Sequence, residues 1–251
     1  MQALILAAGC GRRLRPITDK IPKSLVEVNG IPLLINTLNC LSERNIDEVL
    51  IVVGDKKEAI VNKIGYQYNN MNIVYIENPL YQETNNVYSF WLSMNYVYSD
   101  VIMLECDLFY TRSLIDIMLT GKADCNILVS PFDKMTMDGT VLSVGEENKV
   151  LELLTKNKQK EGLSYVEMYK TINIYTFKKD FIIKRFFPAL NTYIKTQNSN
   201  SYYELVLGTL IYYGNDDIRA ISVDSSLWSE IDNIEDLKQA EKKFLNVKYS
   251  I

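Results

Sequence analysis

Residues 3–16 of this chain read Ala3-Leu4-Ile5-Leu6-Ala7-Ala8-Gly9-Cys10-Gly11-Arg12-Arg13-Leu14-Arg15-Pro16. The first six form an unbroken apolar run, which predicts a central strand of a parallel sheet that is covered on both faces. The two glycines that follow allow a sharp turn in which the backbone can approach a ligand. Three arginines then place fixed positive charge beside backbone amides, as in phosphate-binding turns. The stretch therefore predicts a strand followed by a polyphosphate-binding loop.

The glycine turn differs from the two commonest phosphate loops. A dinucleotide fingerprint needs glycine at its first, third and sixth positions, whereas Leu14 stands at the sixth position here. A Walker loop needs Gly-Lys followed by Ser or Thr, and this triplet occurs nowhere in the chain. The loop must therefore belong to another class of phosphate site.

The composition is that of an ordinary globular protein. Of 251 residues, 47% are hydrophobic and 23% are charged, and the net charge of -4 gives no reason to expect nucleic-acid binding. No apolar stretch approaches the roughly 18 residues that span a membrane, so we expect a cytoplasmic protein that does not bind membranes. The four cysteines are widely separated, which predicts reduced thiols rather than a zinc site or disulfides.

The chain contains no histidine. This excludes Ser-His and Cys-His catalysis and histidine-ligated zinc, and it removes the side chain most often used as a base near pH 7. The chemistry must therefore need little deprotonation by the protein. A phosphate or phosphonate nucleophile meets this condition, because the second pKa of a phosphate monoester, about 6, leaves it largely ionised.

Strand and helix patterns alternate along the first half of the chain. Strands are predicted at residues 3–8, 48–53, 72–77 and 101–107, and helices at residues 31–44, 56–68, 87–98 and 112–120. The alternation is typical of an α/β fold with a doubly wound, mostly parallel, Rossmann-like sheet flanked by helices. In such sheets ligands bind at the carboxyl ends of the strands. We therefore expect Asp107, at the end of its strand, to face the glycine turn.

After residue 120 the pattern changes to a small β-meander and helical portion. Strands are predicted at residues 126–130, 171–177 and 218–223, with two more within residues 140–154, and helices at residues 179–196, 202–213 and 234–245. The polar segment 197–201 predicts a loop. Because no linker or repeat interrupts the chain, we expect one domain over residues 1–251, with halves at about 1–120 and 121–251.

A longer pattern extends the glycine turn. It continues as Pro22-Lys23-Ser24-Leu25 and Gly30-Ile31-Pro32-Leu33-Leu34. The whole pattern resembles the signature of the nucleotidyltransferases related to sugar-1-phosphate nucleotidylyltransferases. Two further segments, residues 86–89 and 169–175, instead resemble the N-x-Y-S and Y-K-T-x-N-I-Y stretches of cytidylyltransferases that act on small phosphates and phosphonates.

The resemblance implies that the first half binds the nucleotide. Arg13 and Lys23 match the family's catalytic cations, which hold the triphosphate and stabilise departing pyrophosphate. The implied nucleotide-binding residues are Leu6, Ala8, Gly9, Gly11, Arg12, Asn85, Asn86, Ser89 and Asp107. Two alternatives stay open: Arg12 faces only solvent, and Asn86 caps the helix instead of reading the base.

Asp107 and Asp232 match the carboxylates that ligate magnesium in this family, which implies Mg²⁺ as the cofactor. Mg²⁺ prefers one or two carboxylates together with water and substrate phosphates, so two aspartates that converge in space would suffice. The alternative for Asp232 is structural, because the segment Asp232-Asn233-Ile234-Glu235 also resembles a helix capping box.

The resemblance places the acceptor in the second half. The implied acceptor-binding residues are Tyr169, Lys170, Asn173, Glu204, Trp228 and Glu230. Lys156 matches the lysine of the sugar enzymes' E-K-P motif and is a candidate catalytic residue. The glutamate and proline of that motif are missing here, so a surface lysine is an equal alternative. Aromatic faces in this half could hold an ammonium group, with Glu204 or Glu230 adding opposite charge.

These patterns together predict a magnesium-dependent cytidylyltransferase. Its partners would be CTP and a small acceptor of the 2-aminoethylphosphonate, phosphocholine or phosphoglutamine class, and its product would decorate surface glycans or lipids. One alternative is a sugar-1-phosphate nucleotidylyltransferase that uses UTP or dTTP. Another is a catalytically inactive nucleotide-sensing module. The sequence does not distinguish a monomer from a homodimer.

Overall fold

The computed structural model describes residues 1–245. Its strands are β1 (Gln2–Ala7), β2 (Glu27–Val28), β3 (Ile31–Pro32), β4 (Glu48–Val53), β5 (Gln67–Tyr68), β6 (Met71–Glu77), β7 (Val101–Glu105), β8 (Leu108–Tyr110), β9 (Cys125–Pro131), β10 (Val141–Val144), β11 (Val150–Leu154), β12 (Tyr169–Phe177), β13 (Ile218–Ser222) and β14 (Trp228–Glu230). Its helices are α1 (Ile17–Lys20), α2 (Leu33–Ser42), α3 (Lys57–Ile64), α4 (Asn86–Leu92), α5 (Arg112–Met118), α6 (Lys179–Phe181), α7 (Phe187–Thr196), α8 (Glu204–Tyr213) and α9 (Ile234–Lys243). The last six residues of the predicted domain lie outside the described residues.

β1 lies inside a sheet with the strand order β11-β10-β12-β7-β1-β4-β6-β5. It pairs in parallel with β4 on one side and β7 on the other, and β4 pairs in parallel with β6. Helices α2, α3 and α4 connect the successive parallel strands, as parallel pairing requires. The predicted α/β fold class, a Rossmann-like sheet flanked by helices, is confirmed.

The apolar run at the amino terminus forms a strand that is buried on both faces, as predicted. Leu4 and Leu6 pack into one hydrophobic cluster, whereas Ala3 and Ile5 pack into a second cluster. None of these side chains is more than 7% exposed. Because successive strand residues point to opposite faces, a strand covered on both sides needs an unbroken apolar sequence.

The second half of the chain extends the same sheet. β12 pairs antiparallel with β7 near its carboxyl end and with β10 at its start, and it pairs antiparallel with β9 in both regions. The predicted meander is present as the antiparallel pair β10 and β11, and β13 adds to β9 in parallel. β12 is therefore the strand that joins the two halves. Within the described residues, none of the helices has both the length and the apolar character needed to cross a membrane.

The helix predicted over residues 31–44 begins later than its apolar pattern suggested. Residues 31–32 form β3, which pairs with β2 in a hairpin. Asn29 and Gly30 both adopt positive φ angles there, as a two-residue hairpin turn requires. Hairpin pairing therefore takes precedence over helical periodicity at this position.

Two further predicted helices are shorter than expected. The helix predicted over residues 56–68 ends at Ile64, because Gly65 takes a φ of 77° that a helix cannot continue through. The chain then forms β5 and turns back into β6. The helix predicted over residues 87–98 ends at Leu92 and is followed by a short 3₁₀ turn.

A short strand pair that the sequence did not predict positions part of the site. β8 and β14 pair antiparallel, and Glu230 lies opposite Leu108. The backbone N–H of Ile231 also donates a 2.8 Å hydrogen bond to the carbonyl oxygen of Asp107. Strands of three residues are too short to show a periodic pattern. Their pairing brings the segment that carries Glu230 and Asp232 to the end of β7.

An aromatic cluster packs α4 against the second half of the chain. Phe90 is fully buried, and its ring centroid lies 5.0 Å from that of Phe186 and 5.4 Å from that of Tyr203. Phe177 and Phe187 also contact it at 6.0 Å. Because α4 begins with Asn86, this packing also positions Asn86, one of the residues predicted to bind the nucleotide.

Phe90→Ala is expected to destabilise the protein by about 3–5 kcal/mol, since it removes a buried ring and leaves a cavity among the other aromatic side chains. Urea unfolding followed by circular dichroism measures this change. The control is Tyr212→Ala, because Tyr212 is 87% exposed and its loss should cost less than about 0.5 kcal/mol. Equal effects of the two substitutions would contradict the assigned packing.

Candidate active site

Two adjoining cavities open at the carboxyl ends of the parallel strands. The smaller cavity has a volume of about 310 Å³ and the larger cavity about 860 Å³. Their linings share Arg13, Asn86, Glu105, Asp107, Tyr202 and Asp232. Groups on this shared wall can contact ligands held in either cavity, which suits a reaction between two bound substrates.

The glycine turn forms one side of the smaller cavity. Gly11 adopts a φ of 59°, and a Cβ atom there would lie 2.9 Å from Cβ of Lys23. The hydroxyl of Thr18 and the backbone N–H of Leu14 both donate to the carbonyl oxygen of Gly11, at 2.8 and 3.0 Å. The turn is thus held against the segment that carries Lys23, and position 11 favours glycine for both space and backbone angle.

Every residue predicted to bind nucleotide lines the smaller cavity: Leu6, Ala8, Gly9, Gly11, Arg12, Asn85, Asn86, Ser89 and Asp107. Arg13, Lys23 and Asp232 line it as well. These residues come from β1 and the loop that follows it, the start of α4, the end of β7 and the segment before α9. Their convergence is the arrangement that a polyphosphate site requires.

The side chain of Lys23 lies between two carboxylates. Its Nζ atom is 2.9 Å from Oδ2 of Asp107 and 2.7 Å from Oδ1 of Asp232. The Nη2 atom of Arg13 lies 2.8 Å from the other oxygen of Asp232. Burial by itself would lower the pKa of Lys23, but the two aspartates hold that pKa above its ordinary value. Burial would likewise raise the pKa of Asp232, whereas Lys23 and Arg13 lower it, so both groups are charged at neutral pH.

Asp107 and Asp232 are suitable ligands for magnesium, which prefers carboxylate oxygens. The Oδ1 atom of Asp107 is buried and accepts no hydrogen bond from the described residues, so this oxygen can still accept a cation. Among residues 1–245, no group of three or more acidic or cysteine side chains could hold a metal ion by itself. The residues therefore fit a cation whose other ligands are water and substrate phosphates.

Asn85, rather than Asn86, caps α4. The Oδ1 atom of Asn85 accepts a 2.8 Å hydrogen bond from the backbone N–H of Asn86. The side chain of Asn86 instead donates to Oε1 of Glu105 at 3.0 Å and accepts from the backbone N–H of Tyr203 at 3.2 Å. Asn86 therefore connects the smaller cavity to the second half of the chain, and the capping alternative for it is wrong.

A capping box does begin α9, but the side chain of Asp232 is not its cap. Oδ1 of Asn233 accepts from the backbone N–H groups of Glu235 and Asp236. Oδ2 of Asp236 in turn accepts from the N–H groups of Asp232 and Asn233. Because Asn233 supplies the cap, the carboxylate of Asp232 can point toward Lys23.

Most of the predicted acceptor residues line the larger cavity: Lys170, Asn173, Glu204, Trp228 and Glu230. Lys156 lines it too, although 70% of its side chain is exposed and it pairs with Asp138. Tyr169 is not part of either lining and packs against the hydrophobic core. Adjacent strand residues point to opposite faces, so the position of Tyr169 gives no support to a role beside Lys170.

Lys170 is the buried cation of the larger cavity. Its side chain is only 3% exposed, and its Nζ atom lies 3.1 Å from Oε2 of Glu230. The side-chain amide of Asn173 donates to the other oxygen of Glu230 at 3.4 Å. Burial by itself would lower the pKa of Lys170, but Glu230 raises it above its ordinary value. Gly139 makes room for this cation, since a Cβ atom there would lie 2.8 Å from Nζ.

Glu105 is a residue of the shared wall that the sequence analysis missed. Its Oε1 atom accepts hydrogen bonds from Asn86 and from the hydroxyl of Tyr203, both at 3.0 Å. Burial, and then the neighbouring charges of Asp107 and Glu204, raise the pKa of Glu105 well above its ordinary value. A signal was present in the sequence. Glu105 is a carboxylate within an apolar strand, two positions before Asp107 and so at the spacing of one strand face.

The fold and the paired cavities are those expected of a nucleotidyltransferase. Residues 2–246 match the model of the nucleotidyl transferase family. The chain belongs to this family, and the predicted enzyme class is confirmed.

Two relatives agree with the more specific resemblance. CMP-5'-(3-aminopropyl)phosphonate synthase of Streptomyces rubellomurinus is 28% identical over 244 residues, which are 97% of this chain and 39% of that protein. Choline-phosphate cytidylyltransferase of Streptococcus pneumoniae is 26% identical over 221 residues, which are 82% of this chain and 93% of that protein. The chain thus spans well under half of the first relative and nearly all of the second. The predicted resemblance to cytidylyltransferases for small phosphates and phosphonates is confirmed.

Solved structures share the fold. The CTP:phosphocholine cytidylyltransferase of Streptococcus pneumoniae matches with a TM-score of 0.77 at 20% identity, over 96% of this chain and 97% of that one. A UDP-glucose pyrophosphorylase complexed with UDP-glucose matches with a TM-score of 0.78 at 15% identity, over 97% and 98% of the two chains. At these identities the likeness concerns the fold alone.

Glu204→Gln is expected to change how stability depends on pH. Burial raises the pKa of Glu204 to about 6, from an ordinary value of 4.5, so the folded state binds this proton more tightly than the unfolded state. The stability from this group is fully present below pH 4.5 and is lost as the pH rises through about 6. At about pH 7.5 the ionised carboxylate should cost wild type up to about 2 kcal/mol, and the variant avoids this cost.

Urea unfolding at about pH 4.5 and about pH 7.5 tests this expectation. The free energy of unfolding of the variant minus that of wild type should be larger at the higher pH than at the lower pH. Glu152→Gln is the matched control, because Glu152 is exposed and its stability difference should not vary with pH. A pH-independent difference for Glu204→Gln would show that Glu204 does not titrate as inferred.

Proposed function

We propose that the protein is a magnesium-dependent cytidylyltransferase that transfers CMP from CTP to a small phosphate or phosphonate and releases pyrophosphate. The observation that carries this proposal is the shared wall of the two cavities. There, Arg13 and Asp232 lie between a smaller cavity that contains the glycine turn and a larger cavity that contains Lys170. The two relatives whose names concern CMP or choline phosphate support cytidine as the base.

The nucleotide would bind in the smaller cavity with its phosphates against the glycine turn. Lys23 and Arg13 are both held by carboxylates before substrate arrives. Preorganised cations of this kind stabilise charge that develops during phosphoryl transfer, because they need no reorganisation at the moment of reaction. Asp107 and Asp232 would hold Mg²⁺, which supplies further charge neutralisation at the phosphates when it is bound.

The acceptor would bind in the larger cavity, with its anionic end near Lys170. One of its phosphate or phosphonate oxygens attacks the α-phosphorus of CTP, a new P–O bond forms, and the bond to the bridging oxygen of pyrophosphate breaks. The attacking oxygen is already ionised near pH 7, so the absence of histidine from the chain is compatible with this reaction. Lys23 and Arg13 would balance the charge of the departing pyrophosphate.

We propose that the reaction takes place in the cytoplasm. Cys10, Cys106 and Cys125 are free thiols, which suits a reducing compartment such as the cytoplasm. Since β12 joins the two halves into one sheet, we propose that residues 1–251 act as one catalytic domain. The CMP-activated head group would then serve in decorating surface glycans or lipids.

A pyrophosphate-release assay tests the reaction. CTP and UTP are each supplied with 2-aminoethylphosphonate, phosphocholine, phosphoglutamine or glucose 1-phosphate, in the presence of Mg²⁺. Turnover is expected with CTP and a small phosphate or phosphonate. Turnover with glucose 1-phosphate alone would instead assign the protein to the sugar nucleotidylyltransferases.

Asp107→Asn is expected to lower magnesium-dependent turnover by about 100-fold or more, because it removes a charge that would hold the cation at the phosphates. The substitution preserves the size of the side chain, and circular dichroism checks that the fold is intact. Asp180→Asn is the matched control, since 77% of the Asp180 side chain is exposed and its variant should retain activity. Unchanged turnover in Asp107→Asn would remove this residue from the metal site.

A further inference from the structure

The larger cavity is lined by more acidic side chains than its own lysines and arginines pair with. Lys170 pairs with Glu230, and Lys156 pairs with Asp138. Glu105 and Glu204 also line this cavity. Within residues 1–245, neither of these two carboxylates forms an ion pair with a lysine or arginine.

Glu105 is fixed in a way that leaves one oxygen for a ligand. Asn86 and Tyr203 both donate to Oε1, at 3.0 Å, which sets the orientation of the carboxylate. Its Oε2 atom receives no hydrogen bond from the described part of the chain, and it is not among the buried atoms that lack a partner. Oε2 is therefore accessible, and the residue lines both cavities.

The surroundings of Glu105 favour a cation that carries N–H groups. Only two aromatic side chains among the described residues line the larger cavity, Tyr202 and Trp228, and Trp228 is 5% exposed and packs into the core. A quaternary ammonium group is recognised by several aromatic faces around it. A carboxylate oxygen, in contrast, accepts charge-assisted hydrogen bonds from a primary ammonium group.

Charges of both signs lie close together in this cavity. Lys170 interacts electrostatically with Glu230, Asp107 and Glu105. Glu105 has no lysine or arginine in direct contact among residues 1–245, and a buried carboxylate in this state is unfavourable, so a ligand that supplies a cation gains affinity. The arrangement is complementary to a short zwitterion, with its anionic end at Lys170 and its cationic end at Glu105.

We propose that Glu105 determines acceptor specificity by accepting hydrogen bonds from a primary ammonium group, so that the acceptor is a short aminoalkyl phosphonate or phosphate rather than a quaternary ammonium compound. This inference rests on the proposed function and narrows its acceptor class. It assigns to Glu105 a direct contact with the acceptor, whereas Asn86 and Tyr203 position Glu105.

Three acceptors of matched length separate charge from hydrogen bonding. They are 2-aminoethylphosphonate, its N,N,N-trimethyl analogue, which has the charge without N–H groups, and ethylphosphonate, which has neither. With CTP and Mg²⁺, wild type should show a kcat/KM for the amine about 10–100-fold above that for either of the others, the range expected for a charge-assisted hydrogen bond.

Glu105→Gln should remove most of this preference, mainly by raising KM for the amine. The readout is the ratio of kcat/KM for the amine to kcat/KM for ethylphosphonate within each variant, because a general loss of activity lowers both values and leaves this ratio unchanged. Glu105→Asp retains the charge and should keep part of the preference. Glu152→Gln, at an exposed position, should behave as wild type.

The outcomes are distinguishable. If kcat/KM is equal for the trimethyl analogue and the amine, the acceptor is not recognised through its N–H groups. If kcat/KM is equal for ethylphosphonate and the amine, its positive charge is not recognised either. If Glu105→Gln still prefers the amine over the other two acceptors, a residue other than Glu105 determines acceptor specificity. If wild type turns over ethylphosphonate or the trimethyl analogue but not the amine, the inference fails while the cytidylyltransferase proposal stands. No turnover of CTP with any acceptor would overturn both.

Discussion

The contact between Lys23 and two aspartates is the constraint around which the site is built. Asp107 lies 84 positions from Lys23 in the sequence, and Asp232 lies 209 positions from it. A buried ammonium group is unfavourable without partners, so this cation ties the loop after β1, the end of β7 and the segment before α9 to one place. The same contact sets the positions of the charges that face the smaller cavity.

The order and direction of the strands also bring the candidate site residues together. The parallel strands bring the glycine turn and Asp107 to one edge of the sheet, as expected for an α/β crevice. The antiparallel strand β12 then extends the sheet and presents Lys170 to the adjoining cavity. Asn86 links the two parts, because it contacts Glu105 and the backbone of Tyr203. Two substrates can thus be held on either side of one polar wall.

The candidate site residues that lie together in the structure are those with a strong local signal in the sequence. The glycine turn, Lys23 and Asp107 lie in or next to apolar strands and at motif spacings, and all of them line the smaller cavity. Two side chains lie differently from expectation. Asn85 rather than Asn86 caps α4, and Tyr169 packs into the core although it is next to Lys170. Side-chain direction in a strand depends on the register with its neighbours, which a single segment does not reveal.

The sequence by itself determined the fold class and the glycine turn that follows β1, because strand burial, helical periodicity and glycine turns are local properties. Only the tertiary structure decided which carboxylates line the two cavities. Hydrogen bonds from Asn86 and Tyr203 hold the side chain of Glu105 in position. The short pairing of β8 with β14 positions Glu230. The physical reason is that charge balance is a property of groups close in space, and chain folding brings such groups together from positions far apart in sequence.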